Sequence, residues 1–212
     1  MFKKLIAAIV TVGVFGFAGA AQAQEAADAF VKRISQEVLE TAKTDKDIQS
    51  GNQQKILEVV QAKILPNVDF QRMTSLAAGR YWREATPEQQ KRLTEEFRDL
   101  LVYTYAGAIA QIRDQQLEFR PMRNDPADTD VEVRSQVVQQ RGEPIQLNYR
   151  LSKSGNSWKI YDLNVLGAWL VETYKGNFAS EISKGGIDGL ISTLEEKNRQ
   201  LATRDAQDDG KR

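Results

Sequence analysis

Apolar residues recur every three or four positions over two stretches near the start of the chain, Phe30, Ile34, Val38 and Leu39, then Ile56, Val59, Val60 and Ile64. That spacing aligns them along one side of an α-helix, so both stretches are read as amphipathic helices, the second stopped by Pro66. Thr44-Asp45-Lys46-Asp47 and Ser50-Gly51-Asn52 read as the turn between them. Phe70 to Ala78 predicts a third helix ended by Gly79. A fourth starts at Pro87, because Thr86-Pro87-Glu88-Gln89 supplies an N-cap, a proline at the first helical position and a capping-box glutamine. It is expected to run to about Ile112. Its second half, from Leu100 to Ala110, is apolar nearly all round, which predicts burial on several sides. Ala106, Gly107, Ala108 and Ala110 leave space beside the backbone for either a neighbouring helix or a ligand.

The period then changes from that of a helix to that of a strand. Four segments alternate apolar and polar residues: Gln116 to Pro121, Val131 to Val138, Ile145 to Ser152, and Trp158 to Asn164. Arg141-Gly142-Glu143 and Ser154-Gly155-Asn156 supply hairpin turns, so the segments are expected to pair as an antiparallel meander. One face of that sheet is apolar and has to be covered. The flanking helices are the natural cover, giving an α+β domain in which a curved four-stranded antiparallel sheet closes over helices. Apolar character continues from Val165 to Val171, and Tyr174, Phe178 and Ile182 extend it at helical spacing, which is more apolar surface than one sheet face needs. Gly185-Gly186-Ile187-Asp188-Gly189-Leu190 predicts a sharp turn into a last helix marked by Leu190, Leu194 and Leu201. Residues 203–212 read as a disordered tail, and no repeat or linker divides the rest.

Composition narrows the chemistry. Lys3-Lys4, an apolar run from Leu5 to about Ala18, and Ala21-Gln22-Ala23 form the pattern of a secretory signal over residues 1–23. The mature chain is therefore expected to start at Gln24 and to work outside the cytoplasm; an uncleaved N-terminal anchor is the competing reading. The chain has no cysteine and no histidine. This removes disulfides, thiol nucleophiles, Cys/His metal sites and imidazole acid–base chemistry. Stability must come from buried apolar area, which roughly 190 residues supply in a single domain. Without Lys3 and Lys4 the 29 basic residues become 27 against 29 acidic ones, a formal charge of −2, so no basic field points to nucleic acid.

The order Gly79-Arg80-Tyr81-Trp82, Thr86-Pro87-Glu88-Gln89, Phe97-Arg98-Asp99-Leu100-Leu101, Tyr105, Tyr149-Arg150-Leu151, Trp158-Lys159-Ile160-Tyr161-Asp162, Gly167 and Gly185-Gly186-Ile187-Asp188-Gly189-Leu190 resembles the MlaC-type, or toluene-tolerance, family of periplasmic phospholipid carriers. The resemblance spans residues 24–202 in order. It implies a cone related to the cystatin-like or nuclear-transport-factor-like folds, with acyl chains in an internal apolar cavity and the headgroup near its mouth. It also implies a monomer with no cofactor, its cargo a phospholipid. That cargo would pass between an outer-membrane lipoprotein–porin complex and an inner-membrane ABC transporter complex with a hexameric lipid-binding ring, preserving outer-membrane lipid asymmetry. Where the family often has a serine after the glycine and a small residue, this chain has Trp169, which is expected to narrow the cavity or its entrance.

The candidate lining residues are Met73 and Leu76 on the short helix, Val102, Tyr105, Ala106 and Ile109 on the long one, and Val133, Val137, Leu147 and Tyr149 on the sheet. Val165, Leu166, Ala168, Leu170 and Phe178 follow the sheet and complete the set. Each position is also explained by ordinary core packing, since pattern alone does not separate a filled core from a lined cavity. Tyr105 and Tyr149 suit the mouth, where a ring meets hydrocarbon and a hydroxyl stays near water. Arg80, Arg83, Arg98 and Lys175 are candidate headgroup neighbours, or else solvated surface charges. Two other classes fit less of the chain. A small hydrolase or isomerase would have to draw its acid–base groups from Asp, Glu, Tyr and Lys, with Asp162 and Tyr149 the least implausible pair. A periplasmic chaperone or adaptor would expose apolar patches and not enclose a cavity.

Overall fold

A computed structural model describes residues 25–209 apart from 123, 124, 126 and 141, with side chains as far as Arg204. The signal over residues 1–23 lies outside the described residues. The first half is helical: α1 (Ala27–Thr44), α2 (Lys46–Gln49), α3 (Gln53–Val59), α4 (Phe70–Ala78) and α5 (Pro87–Tyr105). Part of the segment read as a turn is thus the single-turn α2, because the Asp45 carboxylate accepts from the Asp47 and Ile48 amides and caps it. A π-helical turn (Val60–Ile64) and a 3-10 turn holding Pro66 (Leu65–Asn67) end the second predicted helix. The capping box at Thr86 and Gln89 forms as predicted.

The second half of the fourth predicted helix departs from expectation. Its α-helical part stops at Tyr105 and a 3-10 segment covers Ala106–Gln111. Ala106 and Ile109 are buried, whereas Thr104, Tyr105, Gly107 and Ala108 face outward. An all-round apolar sequence here is therefore one buried stripe beside exposed small residues.

Five strands follow, β1 (Gln116–Phe119), β2 (Asp130–Val138), β3 (Ile145–Ser154), β4 (Ser157–Val165) and β5 (Ala168–Trp169). Each pairs antiparallel with the next in chain order, so the meander is as expected but has five strands among the described residues, not four. The fifth arises because Leu166 and Gly167 adopt φ of 54° and 89°. Positive φ at both central residues is the geometry of a two-residue hairpin turn. A two-residue strand inside an apolar run leaves no alternation to detect.

A bulge in β4 sets the sheet's faces. Arg150 pairs with Asp162 but Leu151 pairs with Ile160, leaving Tyr161 as the extra residue. Trp158 and Ile160 before it therefore share one face with Leu163 and Val165 after it. Val131, Val133, Ser135 and Val137 of β2 and Ile145, Leu147, Tyr149 and Leu151 of β3 lie on that face by register.

A long helix, α6 (Leu170–Asp209), leaves β5 directly and is broken at Gly186, where φ is 68° and ψ −170°. This is the predicted glycine-pair turn, although the chain resumes a helical course at once. Helical structure also continues through residues 203–209, which the composition read as disordered. The second half of α6 is tied to α5: Gln89 Nε2 donates to Asp188 (3.0 Å), Asn198 Nδ2 donates to the Glu96 carbonyl and carboxylate, and Arg92 pairs with Glu195.

Three apolar clusters result. The first joins α4, α5 and α6, with Phe97 edge-on to both Tyr174 and Phe178 at 4.9 Å between centroids. The second packs Ala27, Phe30, Val31 and Ile34 of α1 on the apolar sheet face. The third gathers Ala42, Ile48, Ile56 and Val60 around Ala106 and Ile109. Val68 and Leu163 pack against both the first and the second.

Candidate functional site: the half-covered face of the sheet

The apolar face of the sheet is unevenly covered. At one end Val131, Val133, Leu151, Trp158 and Ile160 are buried under the start of α1, and Trp158 Nε1 donates to the Glu25 carbonyl (2.9 Å). At the other end the residues are equally apolar, but Val137, Ile145, Leu147, Leu163 and Val165 are only half-buried. Register couples them directly, Val137 opposite Ile145 and Leu147 opposite Val165. This open end carries the β4–β5 turn, where Leu166 is 72% exposed.

Tyr149 stands between the two ends. It is 7% exposed, so it lies inside and is not the mouth residue expected from the sequence. Its ring could not reach water while serving as a cross-strand neighbour of Val133 and Leu163 under α1. Burial raises the pKa of its hydroxyl, and hydrogen bonding with Ser35 of α1 and Ser135 of β2 opposes that shift. Ser135 is itself buried and donates through Oγ to the Leu147 carbonyl (2.5 Å). Neither serine was among the sequence candidates. The only trace of one was a polar residue interrupting the valine row of β2.

The remaining candidates fall into separate places. Val133 and Leu147 join Tyr149 in the sheet cluster, whereas Met73, Leu170 and Phe178 belong to the helical cluster, and Val102, Ala106 and Ile109 to the third. Leu76 (41% exposed), Tyr105 (39%), Leu166 and Ala168 face outward. Of the two proposed mouth tyrosines only Tyr105 has the exposure the role needs, and it hydrogen-bonds to Tyr174. The internal cone-like cavity is not evident beneath the sheet among the described residues. A cleft of about 300 Å³ lies instead between α5 and the two halves of α6, lined by Leu100, Tyr174, Phe178, Glu181, Leu190 and Lys197 among others.

The four headgroup candidates do not converge. Arg80 and Arg83 precede α5 whereas Tyr105 ends it, and its 19 residues span roughly 28 Å. Arg80 donates to the Tyr81 hydroxyl (2.9 Å), Arg98 pairs with Asp99 (2.8 Å), and Lys175 with Glu172 (3.6 Å). Lys175 follows Tyr174 in sequence, and Arg98 follows Phe97, whose ring packs edge-on to Tyr174.

The outer face of the sheet holds a buried carboxylate. Asp162 Oδ1 accepts from the backbone amides of Leu163 (2.9 Å) and Val171 (3.1 Å), and Oδ2 from Arg150 (3.3 Å). Burial raises its pKa, against the donors that favour the anion. Its partners pin the first turn of α6 to β4. The Arg150 guanidinium also stacks on Trp169 at 3.8 Å. Trp169 sits opposite Asn164 and so belongs to this outer face, where it does not narrow the apolar side. Asp162 and Tyr149 therefore lie on opposite faces of the sheet and form no acid–base pair.

An antiparallel meander with one apolar face left half open, backed by a helical layer, offers a surface of the kind that suits an apolar ligand. A family model described as MlaC protein matches residues 32–196, and the chain belongs to that family. The intermembrane phospholipid transport system binding protein MlaC of Haemophilus influenzae is 27% identical over 164 residues, covering 73% of this chain and 76% of its own length. The toluene tolerance protein ttg2D of Pseudomonas putida is 25% identical over 159 residues, 74% of each chain. A phospholipid-binding protein from Ralstonia solanacearum, solved in complex with a phospholipid, superposes with a TM-score of 0.79 at 50% identity. The match covers 84% of this chain and 99% of that one.

Proposed function

We propose that this protein is a periplasmic phospholipid carrier that shields acyl chains against the half-covered face of its sheet and performs no chemical step. The observation that carries the reading is the row Val137, Ile145, Leu147, Leu163 and Val165, an apolar surface continuous with the core yet left half-buried. Its relatives named for phospholipid binding and transport support the same cargo.

Energetics then dictate how the carrier operates. Each buried methylene is worth about 0.8 kcal/mol, so a diacyl lipid with on the order of thirty of them gains more than ~20 kcal/mol before the costs of association. Spontaneous release into water is negligible at that magnitude, so delivery has to occur by docking to a partner with a competing apolar site. The proposed partners are the outer-membrane lipoprotein–porin complex and the inner-membrane ABC transporter complex with its hexameric ring, visited by a monomer. Residues Val137, Leu147 and Val165 line the chains from the sheet, Val102 and Ile109 are the helical candidates, and Tyr105 with Lys175 marks the headgroup end. Maintenance of outer-membrane asymmetry is the physiological role proposed for this traffic.

Native mass spectrometry of the protein purified from the periplasm, followed by lipid extraction, tests the reading. A stoichiometric mass increment that resolves into phospholipids is the expected result. A bare mass that persists after incubation with phospholipid vesicles and a partner complex overturns it and favours a protein-binding adaptor.

A further inference from the structure

The open half of the apolar face has a measurable depth and a distinct end. From Ile145 at the edge of β3 to Tyr149 is four residues, or ~13 Å at the rise of a strand. A bilayer's hydrocarbon core is ~30 Å thick, so the chains of one leaflet occupy about 15 Å. The two lengths nearly match. At the inner end the surface also changes character: Val137, Leu147 and Val165 offer only hydrocarbon, whereas Tyr149 brings a hydroxyl that meets Ser35 and Ser135. Beyond Tyr149 the face is already filled by Phe30, Val31 and Ile34 of α1.

A chain sliding inward along the face therefore meets two obstacles at one place. The Tyr149 ring occupies the path, with Leu163 opposite it on β4. Displacing the ring would also break hydrogen bonds in a site that water does not reach, and an acyl chain offers no replacement donor or acceptor. Ser135 is held by its own bond to the Leu147 carbonyl, so the cluster is anchored to the sheet as well as to α1.

We infer that Tyr149, held by Ser35 and Ser135, is the inner stop that sets how long an acyl chain this protein accepts. The inference rests on the carrier reading and adds a specificity-determining residue to it. Chains of about one leaflet's depth end against the tyrosine. Longer ones leave methylenes exposed at the open edge, and each such methylene forfeits about fourfold in affinity.

The test presents the whole mature protein with vesicles containing equal amounts of dimyristoyl, dipalmitoyl and distearoyl phosphatidylglycerol, and reads the bound species by native mass spectrometry. Tyr149→Leu keeps an apolar side chain in the cluster while removing the hydroxyl and shortening the stop. It is expected to raise the distearoyl-to-dimyristoyl ratio by about tenfold or more over the unaltered protein. Leu163→Phe narrows the same place from the opposite strand at a half-buried position, and is expected to shift the ratio the other way even if Tyr149→Leu fails to fold. Folded variants with an unchanged chain profile overturn the stop while leaving the carrier intact. An unaltered protein that takes up none of the three lipids overturns the carrier reading, and the stop with it.

Discussion

Leu147 and Gln146 are adjacent on β3, yet the pleat sends their side chains to opposite faces, Leu147 into the half-covered apolar row and Gln146 to the exposed outer side. Placing the same glutamate at each position separates the effect of charge from the effect of location. At position 147 a carboxylate would lie against bound hydrocarbon between Ser135 and Val165. A charged side chain at the centre of a hydrocarbon layer costs about 2.5–3.5 kcal/mol on insertion scales, so lipid binding should weaken roughly a hundredfold. The fold itself should lose only about 1–2 kcal/mol, because Leu147 is half-buried and the new carboxylate reaches water when lipid is absent. The two variants can compete for limiting phospholipid in one solution, with occupancy read by native mass spectrometry and stability by urea unfolding. Gln146→Glu should take nearly all the lipid. Equal sharing between two folded variants would refute the assignment of the open face as the acyl-chain surface.

Phe97 is fully buried and edge-on to two other rings, so Phe97→Ala should lower unfolding free energy by about 3–5 kcal/mol, seen as a fall in the urea midpoint at unchanged slope. Burial raises the Tyr174 pKa to about 12 from an ordinary 10, so titration at 295 nm should show a late phenolate component that shrinks by one tyrosine in Tyr174→Phe, with buried Tyr149 still contributing to it. The unfolded chain ionises this tyrosine first, so its contribution to stability is whole below pH 10 and is lost as pH rises from there through about 12. Gly186 has φ 68° and ψ −170°, a region that is essentially glycine-only, while a Cβ there would meet nothing within 4 Å. Gly186→Ala should therefore cost about 1–3 kcal/mol from backbone strain alone, measured as a lower thermal midpoint, and an unchanged midpoint would show that the break in α6 is not fixed.

Periodicity made the meander and the helical starts legible because each is a local property. Alternation in β2 to β4 survives in single-residue pattern, and the Thr86 capping box is complete within four residues. What escaped depends on residues distant in sequence. Apolarity from Leu100 to Ala110 does not reveal that one stripe turns inward while Thr104, Gly107 and Ala108 face outward. Tyr149 read as a mouth residue because a tyrosine suits an interface, and only its place beneath α1 makes it an interior one. The bulge at Tyr161 is hidden for the same reason: two hydrophobic parities in β4 look like weak alternation until pairing with β3 shows that they share a face.

Division of the apolar residues into three clusters bears directly on how such a protein could admit a lipid. A single continuous core would have to lose packing throughout to accept two chains, at several kcal/mol for each void or displaced side chain. Here the sheet cluster and the helical cluster have their own buried centres, at Leu151 and Val133 on one side and Phe97 and Phe178 on the other. Val68 and Leu163 pack against both. Hydrogen bonds also tie helices to β4, through the Asp69 amide donating to the Ile160 carbonyl (2.8 Å) at the covered end and the Val171 amide donating to the Asp162 carboxylate (3.1 Å). The half-buried row from Val137 to Val165 starts at the far end from Trp158 and Ile160, away from that tie to the start of α4. Chains entering there would separate surfaces already half wet, so little packing is given up and the incoming hydrocarbon replaces water and not core.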